Sequence, residues 1–215
     1  MGIGNTKFQK NNKNGRIILP EHYEVIDNFL PDEDFEVIQN LFLPKYEDEG
    51  LEISLESDGN RTTVNTEQHY IPWIYSTNIG FDHSAETETV IPEDRTMFFM
   101  SHNIYVDNFG ILSSIYPYFR PVLDKLGVKA LKRIRCNLFP NTKSLYVHEF
   151  HTDFHFSHNA ALLSINTCDG FTTLEDGTKI DSVANRVLII DGSTSHASST
   201  TSNEAVRINV NISYF

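Results

Sequence analysis

Apolar and polar positions divide the chain into a helical first half and a β-rich second half. Residues 1–20 are polar and rich in Asn and Lys, which predicts a loose arm ahead of one domain over 21–215. Tyr23 to Leu30 reads as a first strand. Pro31 then opens a helix, with Asp32, Glu33 and Asp34 in the first turn, where the helix dipole favours acids. Phe35, Ile38, Leu41 and Phe42 follow at helical spacing, so one stripe faces a core. The acidic, Gly-punctuated stretch Glu47 to Asn60 reads as a surface excursion. Gln68 to Ile79 and Thr96 to Tyr105 are aromatic-rich and predict strands. A second helix is expected over Gly110 to Leu126, with Leu112, Ile115, Phe119, Val122 and Leu126 on one face. Pro117 and Pro121 would kink it, because each removes a backbone donor, and Gly127 would end it.

From Val128 onward, short β runs alternate with turn signals at the intervals of an antiparallel sandwich or barrel. Asp169-Gly170 and Asp176-Gly177 are candidates for tight hairpin turns of type I′. Arg186 to Asp191 is an apolar strand closed by Gly192, and Ala205 to Phe215 is a final strand. The sum is a mainly β protein with flanking helices and no second domain.

At 215 residues one hydrophobic core suffices, since cores grow to roughly 250 residues before chains split. A 40% hydrophobic and 12% aromatic content excludes a disordered chain. The net charge of −12, from 17 basic and 29 acidic residues, argues against general affinity for nucleic acid. The basic run Lys129, Lys132, Arg133, Arg135 reads first as a solvated strand edge. Cys136 and Cys168 have no CxxC partners and make no disulfide framework. With neither a signal-like leader nor a run of roughly 20 apolar residues, the expectation is a cytoplasmic protein without a membrane span.

Histidine distribution changes the picture. His148, His151, His155 and His158 crowd around Asp153. On a strand, i and i+2 share a face, so His151 and Asp153 can present an imidazole nitrogen and a carboxylate oxygen to one point. His196, following the strand that ends at Asp191-Gly192, is the one histidine C-terminal to the cluster and the best third ligand. Two imidazoles and a carboxylate leave three open positions on an octahedral iron(II). An HxD pair alone is weak, and a lone His is more often structural than ligating; the combination carries the argument.

Arg207 belongs to that combination. The final strand alternates Val206, Ile208, Val210, Ile212 and Tyr214 with Arg207, Asn209, Asn211 and Ser213. Either the polar face meets water, or it lines a barrel holding a charged co-substrate, where a guanidinium would take a carboxylate bidentately. Spacing alone does not choose between these.

The ordered set His151-Thr152-Asp153, His196 and Arg207 resembles the 2-oxoglutarate and iron(II)-dependent dioxygenases, in their prolyl-4-hydroxylase-like branch, and is similar to small phage-borne members. The likeness extends to Val25 through Pro31, Arg133 to Pro140, Ile165-Asn166, Asp176-Gly177, Asn185-Arg186 and Asp191-Gly192. It implies a double-stranded β-helix, a jelly-roll of the cupin kind, with helices outside. It implies iron(II) held by His151, Asp153 and His196, and 2-oxoglutarate held by the metal and by Arg207. It implies dioxygen as co-substrate, succinate and carbon dioxide as products, and ascorbate as a possible reductant. Because Asp153 supplies the carboxylate that halogenating relatives lack, hydroxylation is the implied outcome. The pattern departs from the family at His148, where many relatives carry Tyr, and at Phe139, where an aromatic hydroxyl is usual. His148, Asn137 and Tyr146 are the candidates for secondary co-substrate contacts.

A zinc protease fails on register, since His148-Glu149 is followed by Thr152 where the HExxH helix needs its second His. A cupin-type metal protein without 2-oxoglutarate, and a non-enzymatic β-sandwich binding or viral structural protein, remain as rivals. The substrate stays open between a protein side chain, such as peptidyl proline, and a small molecule. Glu47 to Asn60 and Tyr70 to Phe81 are candidates for a substrate lid, although Trp73 reads more readily as core. If the chain is phage-encoded, its compartment is the host cytoplasm.

Overall fold

In the computed structural model, residues 23–43, 71–76 and 98–215 are described. The expected N-terminal arm, the excursion over Glu47 to Asn60 and half of Tyr70 to Phe81 lie outside them. The chain begins with β1 (Tyr23–Ile26) and α1 (Asp32–Phe42), then β2 (Ile74–Ser76), β3 (Phe99–Val106) and β4 (Gly110–Ile111). A 3-10 turn at Tyr116–Phe119 leads into α2 (Arg120–Leu126). Seven strands follow: β5 (Leu131–Pro140), β6 (Asn159–Ser164), β7 (Phe171–Leu174), β8 (Lys179–Asp181), β9 (Val187–Asp191), β10 (His196–Ser198) and β11 (Val206–Tyr214).

Strand pairing places the latest element in the middle. The larger sheet runs β1-β9-β6-β11-β5-β3-β2, with β4 on β3, and the smaller runs β10-β7-β8. All ladders between named strands are antiparallel. This is the jelly-roll that the sequence resemblance implies.

Side-chain alternation assigns the two faces of the larger sheet. Ile134 and Cys136 of β5, Ala161 and Leu163 of β6, and Ile208, Val210, Ile212 and Tyr214 of β11 meet Phe35 and Ile38 of α1 and Val122 and Leu123 of α2. Full burial of residues such as Ile38 and Ile212 contributes roughly 1.5–3 kcal/mol each. On the opposite face, Ala160 and Leu162 pack with Leu174 and Ile180 of the smaller sheet. The helices therefore cover one side and the small sheet roofs the other. Trp73 packs on the helix-side core, its ring centroid 6.3 Å from that of Phe42.

Helix α1 begins as expected, with Pro31 at its N-cap and three acids in its first turn. The second helix is shorter than expected. Pro117 and Pro121 do not kink a long helix; each sits at a first-turn position, of the 3-10 turn and of α2 respectively, where a missing N–H is harmless. Gly127 caps α2 in the left-handed region at φ 67°. Asp176-Gly177 does join β7 to β8, with Gly177 at φ 85° but Asp176 outside the left-handed region, so the turn is not type I′. Asp169-Gly170 is no hairpin turn; the Asp169 carboxylate instead accepts hydrogen bonds from Thr201 and Ser202. Of the basic run, Lys129 is exposed and Lys132 pairs with Asp107, but Arg133 and Arg135 are no solvated edge, because β5 lies between β11 and β3 and turns these two side chains toward the small sheet.

Candidate functional site

Between the sheets lies a cavity of roughly 360 Å³, counting the space at its mouth. Arg135, Asn137 and Phe139 of β5, Asn209 and Asn211 of β11, and His151 and His196 are among the residues lining it. The two central strands contribute because each is apolar toward the helices and polar toward the roof. Arg207, Asn209, Asn211 and Ser213 are all buried, which decides between the two readings of the final strand.

The backbone brings the two histidines together. His151 and His196 form an isolated antiparallel bridge, and their ring centroids are 4.7 Å apart. His196 Nδ1 lies 2.9 Å from the Thr194 carbonyl oxygen, and His151 Nδ1 lies 3.3 Å from that of Glu149. With each Nδ1–H donating to a carbonyl, each Nε2 keeps its lone pair, the tautomer that metal-ligating imidazoles need. Burial and the neighbouring His196 charge pull His151 down to about 4, so its ring is neutral at pH 7.

Asp153 follows His151 not on a regular strand but in a bend, anchored by its N–H to the Gly192 carbonyl at 2.9 Å. Its side chain is 1% exposed. One carboxylate oxygen accepts from Arg133 at 2.7 Å and the other from the Asn211 amide at 2.9 Å. Burial pushes this carboxyl up, but the Arg133 and His196 charges and the Asn211 hydrogen bond outweigh it and hold the group well below the usual carboxylate range. Asp153 is thus ionised, and its charge works against the downward pull on His151.

As they stand, the three side chains do not converge on one point. Among the described residues, no group of three His, Cys, Asp or Glu is close enough to hold a metal ion. The expectation of a ready-made ligand set is corrected accordingly: two imidazoles meet, while the carboxylate is turned to Arg133 and Asn211. The donor chemistry nevertheless fits iron(II), with two free Nε2 lone pairs and a carboxylate whose oxygens each retain acceptor capacity.

Arg207 is 2% exposed. It donates from Nη1 to the Ser199 carbonyl at 3.0 Å and from Nη2 to Thr172 Oγ1 at 2.9 Å, over the Phe139 ring. Its Nε has no partner, and no carboxylate among the described residues pairs with it. Burial pulls it down to about 10, which leaves it charged at neutral pH. A buried cation without an anion is costly, and here its wall residues Thr172 and Phe139 also line the cavity. Gly170 lets it lie there: a Cβ on Gly170 would come within 2.6 Å of both the Arg207 Cδ and the Thr200 carbonyl.

Of the secondary candidates, Asn137 lines the cavity and donates to Asn209 at 3.0 Å, while His148 and Tyr146 do not line it. His148 Nδ1 lies 2.8 Å from the Ser198 carbonyl, and its buried Nε2 has no partner. Burial pulls His148 down to about 4, and the Arg207 charge acts in the same direction.

No family model matches this sequence, and no curated protein matches it. Solved structures do. One is a prolyl hydroxylase from Trichoplax adhaerens in complex with a hypoxia inducible factor oxygen degradation domain peptide fragment, at a TM-score of 0.54 and 16% identity over 90% of this chain and 83% of that one. The chain shares the jelly-roll fold of that protein. A Pseudomonas putida prolyl-4-hydroxylase shares it at a TM-score of 0.50 and 11% identity, over 90% of this chain and 93% of the other.

Inspection of the sequence missed Arg135 as a cavity residue and Arg133 and Asn211 as the partners of Asp153. The signal was present: on β5, Arg133, Arg135, Asn137 and Phe139 alternate as cleanly as the polar face of β11 opposite them.

Proposed function

We propose that the chain is a 2-oxoglutarate- and iron(II)-dependent dioxygenase that hydroxylates an unactivated C–H bond, with release of succinate and carbon dioxide. The observation that carries this reading is Arg207, buried and without a carboxylate partner among the described residues, beside a cavity lined by two imidazoles. The fold shared with the two prolyl hydroxylases supports it.

In this reading His151, His196 and Asp153 hold the metal, and Arg207 with Thr172 takes the distal carboxylate of 2-oxoglutarate. Bound there, iron(II) and the keto acid would supply the electrons that activate dioxygen, one of whose atoms would go to the substrate and the other to succinate. The residues do the rest. Arg207 orients the co-substrate by a charge-assisted, planar contact. Asn211 and Arg133 hold the Asp153 carboxylate ionised and fix its direction. Leu162, Phe99 and Phe139 give the cavity apolar walls. A protein side chain is a reasonable substrate class, since one structural neighbour holds a peptide fragment.

Adding iron(II) and 2-oxoglutarate under nitrogen should produce a weak visible absorption band, and admission of air should produce succinate. Asp153→Ala should abolish both. A band without any 2-oxoglutarate requirement would favour the cupin-type metal protein instead.

A further inference from the structure

Arg135 is a cation that the proposed reaction leaves unused. It lines the cavity with His151 and His196 and stands opposite Asn211 in strand register. Its Nε is closed off from water without an acceptor, and among the described residues the side chain has no ion-pair partner. Asp153 is within electrostatic reach, but its two oxygens are already engaged by Arg133 and Asn211. An unmet buried guanidinium nitrogen is a standing cost, of the kind that ligand sites retain.

Charge balance indicates what it meets. Among the described residues, Arg133, Arg135 and Arg207 stand in or beside this cavity against Asp153 alone, an excess of two positive charges. A divalent metal would add two and the 2-oxoglutarate dianion would remove two. The excess survives, inside a chain whose net charge is −12. Along β5, Arg135 and the Phe139 that faces Arg207 are separated by roughly 13 Å, at about 3.3 Å per residue. That length accommodates two ligands in line, one on each guanidinium.

We propose that Arg135 is a second carboxylate anchor, and that the primary substrate carries the carboxylate it holds. The substrate class is an acidic or amino-acid-like compound, free or at the end of a peptide, whose carboxylate lies on Arg135 and whose C–H faces the two imidazoles. This rests on the reading above for the places of metal and co-substrate. The keto-acid end of 2-oxoglutarate is the other source of the same carboxylate chemistry, and the test separates them.

Zinc(II)-loaded protein is titrated calorimetrically with 2-oxoglutarate as wild type, Arg135→Gln and Arg135→Lys. Saturation-transfer NMR at saturating 2-oxoglutarate then uses acetate and acetamide as probes. The expected result is 2-oxoglutarate affinity within threefold of wild type in every variant. Acetate transfer should fall at least tenfold in Arg135→Gln, persist in part in Arg135→Lys, and be absent for acetamide throughout. A tenfold loss of 2-oxoglutarate affinity in Arg135→Gln with acetate unaffected would give the anchor to the co-substrate and overturn the primary-substrate assignment. No change in either measurement would overturn the anchor itself. If Arg135→Gln does not fold, Arg135→Lys decides, because a bidentate anchor loses acetate transfer severalfold when its planar fork is replaced and an idle cation loses none. Failure of wild type to bind 2-oxoglutarate would remove the reading of function, while the acetate difference between wild type and variant would still judge Arg135.

Discussion

His151 and His196 exchange both backbone hydrogen bonds, each N–H donating to the other's carbonyl at 2.9 Å. Their imidazoles are therefore paired by the main chain, and each Nδ1 is tied to a carbonyl two residues away. Side-chain rotation has little part in bringing the two rings together, a preorganisation that suits the proposed metal site.

Asp153→Gly tests the third ligand. Affinity for manganese(II) or zinc(II), measured by calorimetry, should fall by more than about 100-fold, beyond the roughly 10–100-fold cost typical of losing an outer-shell partner. The far-UV circular dichroism should stay unchanged, since the backbone of this bend is held by its own hydrogen bond to Gly192. Loss of the folded spectrum would make Asp153 a structural carboxylate for Arg133.

Arg207→Met should separate binding from stability. Removing a buried guanidinium from a carboxylate typically costs about 2–5 kcal/mol, so the 2-oxoglutarate Kd should rise at least ~30-fold while metal affinity holds. Without co-substrate the variant should melt no lower than wild type, because it replaces an anion-free buried cation with an apolar chain of similar length. Equal losses for metal and co-substrate would undo the assigned role.

Acid should destabilise the metal-free protein before its carboxylates protonate. His148 and His151 sit near 4 when folded, against 6.5 as free side chains. Between those values the unfolded chain binds protons that the folded chain refuses, so stability falls as pH drops from about 6.5 to about 4. At about 1.4 kcal/mol per unit the two together contribute a few kcal/mol. Melting temperatures across that window should show the decline, and His148→Gln should flatten it; a pH-independent Tm would contradict the buried, neutral rings.

Gly170→Ala places a methyl where the Arg207 Cδ and a backbone carbonyl already stand. Overpacking of this kind costs about 1–3 kcal/mol, and the displaced arginine should weaken 2-oxoglutarate binding as well. Loss of stability with unchanged binding would show that Arg207 shifts freely.

Much of this arrangement was legible before any coordinates. The alternation of Arg207, Asn209, Asn211 and Ser213 exposed a two-faced strand, and α1 was marked by its acids and its apolar stripe. His151, Asp153 and His196 were singled out for their chemistry, and the structure pairs the two imidazoles but puts Asp153 in a bend instead of a strand, with its oxygens on Arg133 and Asn211. Periodicity speaks of neighbours along one strand and is silent about a cation two strands away. The overlong second helix failed for a local reason, since a proline that starts a helix and one that bends it look alike in sequence.

Val206–Tyr214 is the keystone between β5 and β6, and it leaves the ribosome after both. Until it emerges, the two halves of the large sheet have no common neighbour and the apolar undersides of both are bare. Closing the barrel and installing the buried guanidinium are consequently one event, so a nascent chain short of this strand is exposed to chaperones and proteases and lacks Arg207 at the same time.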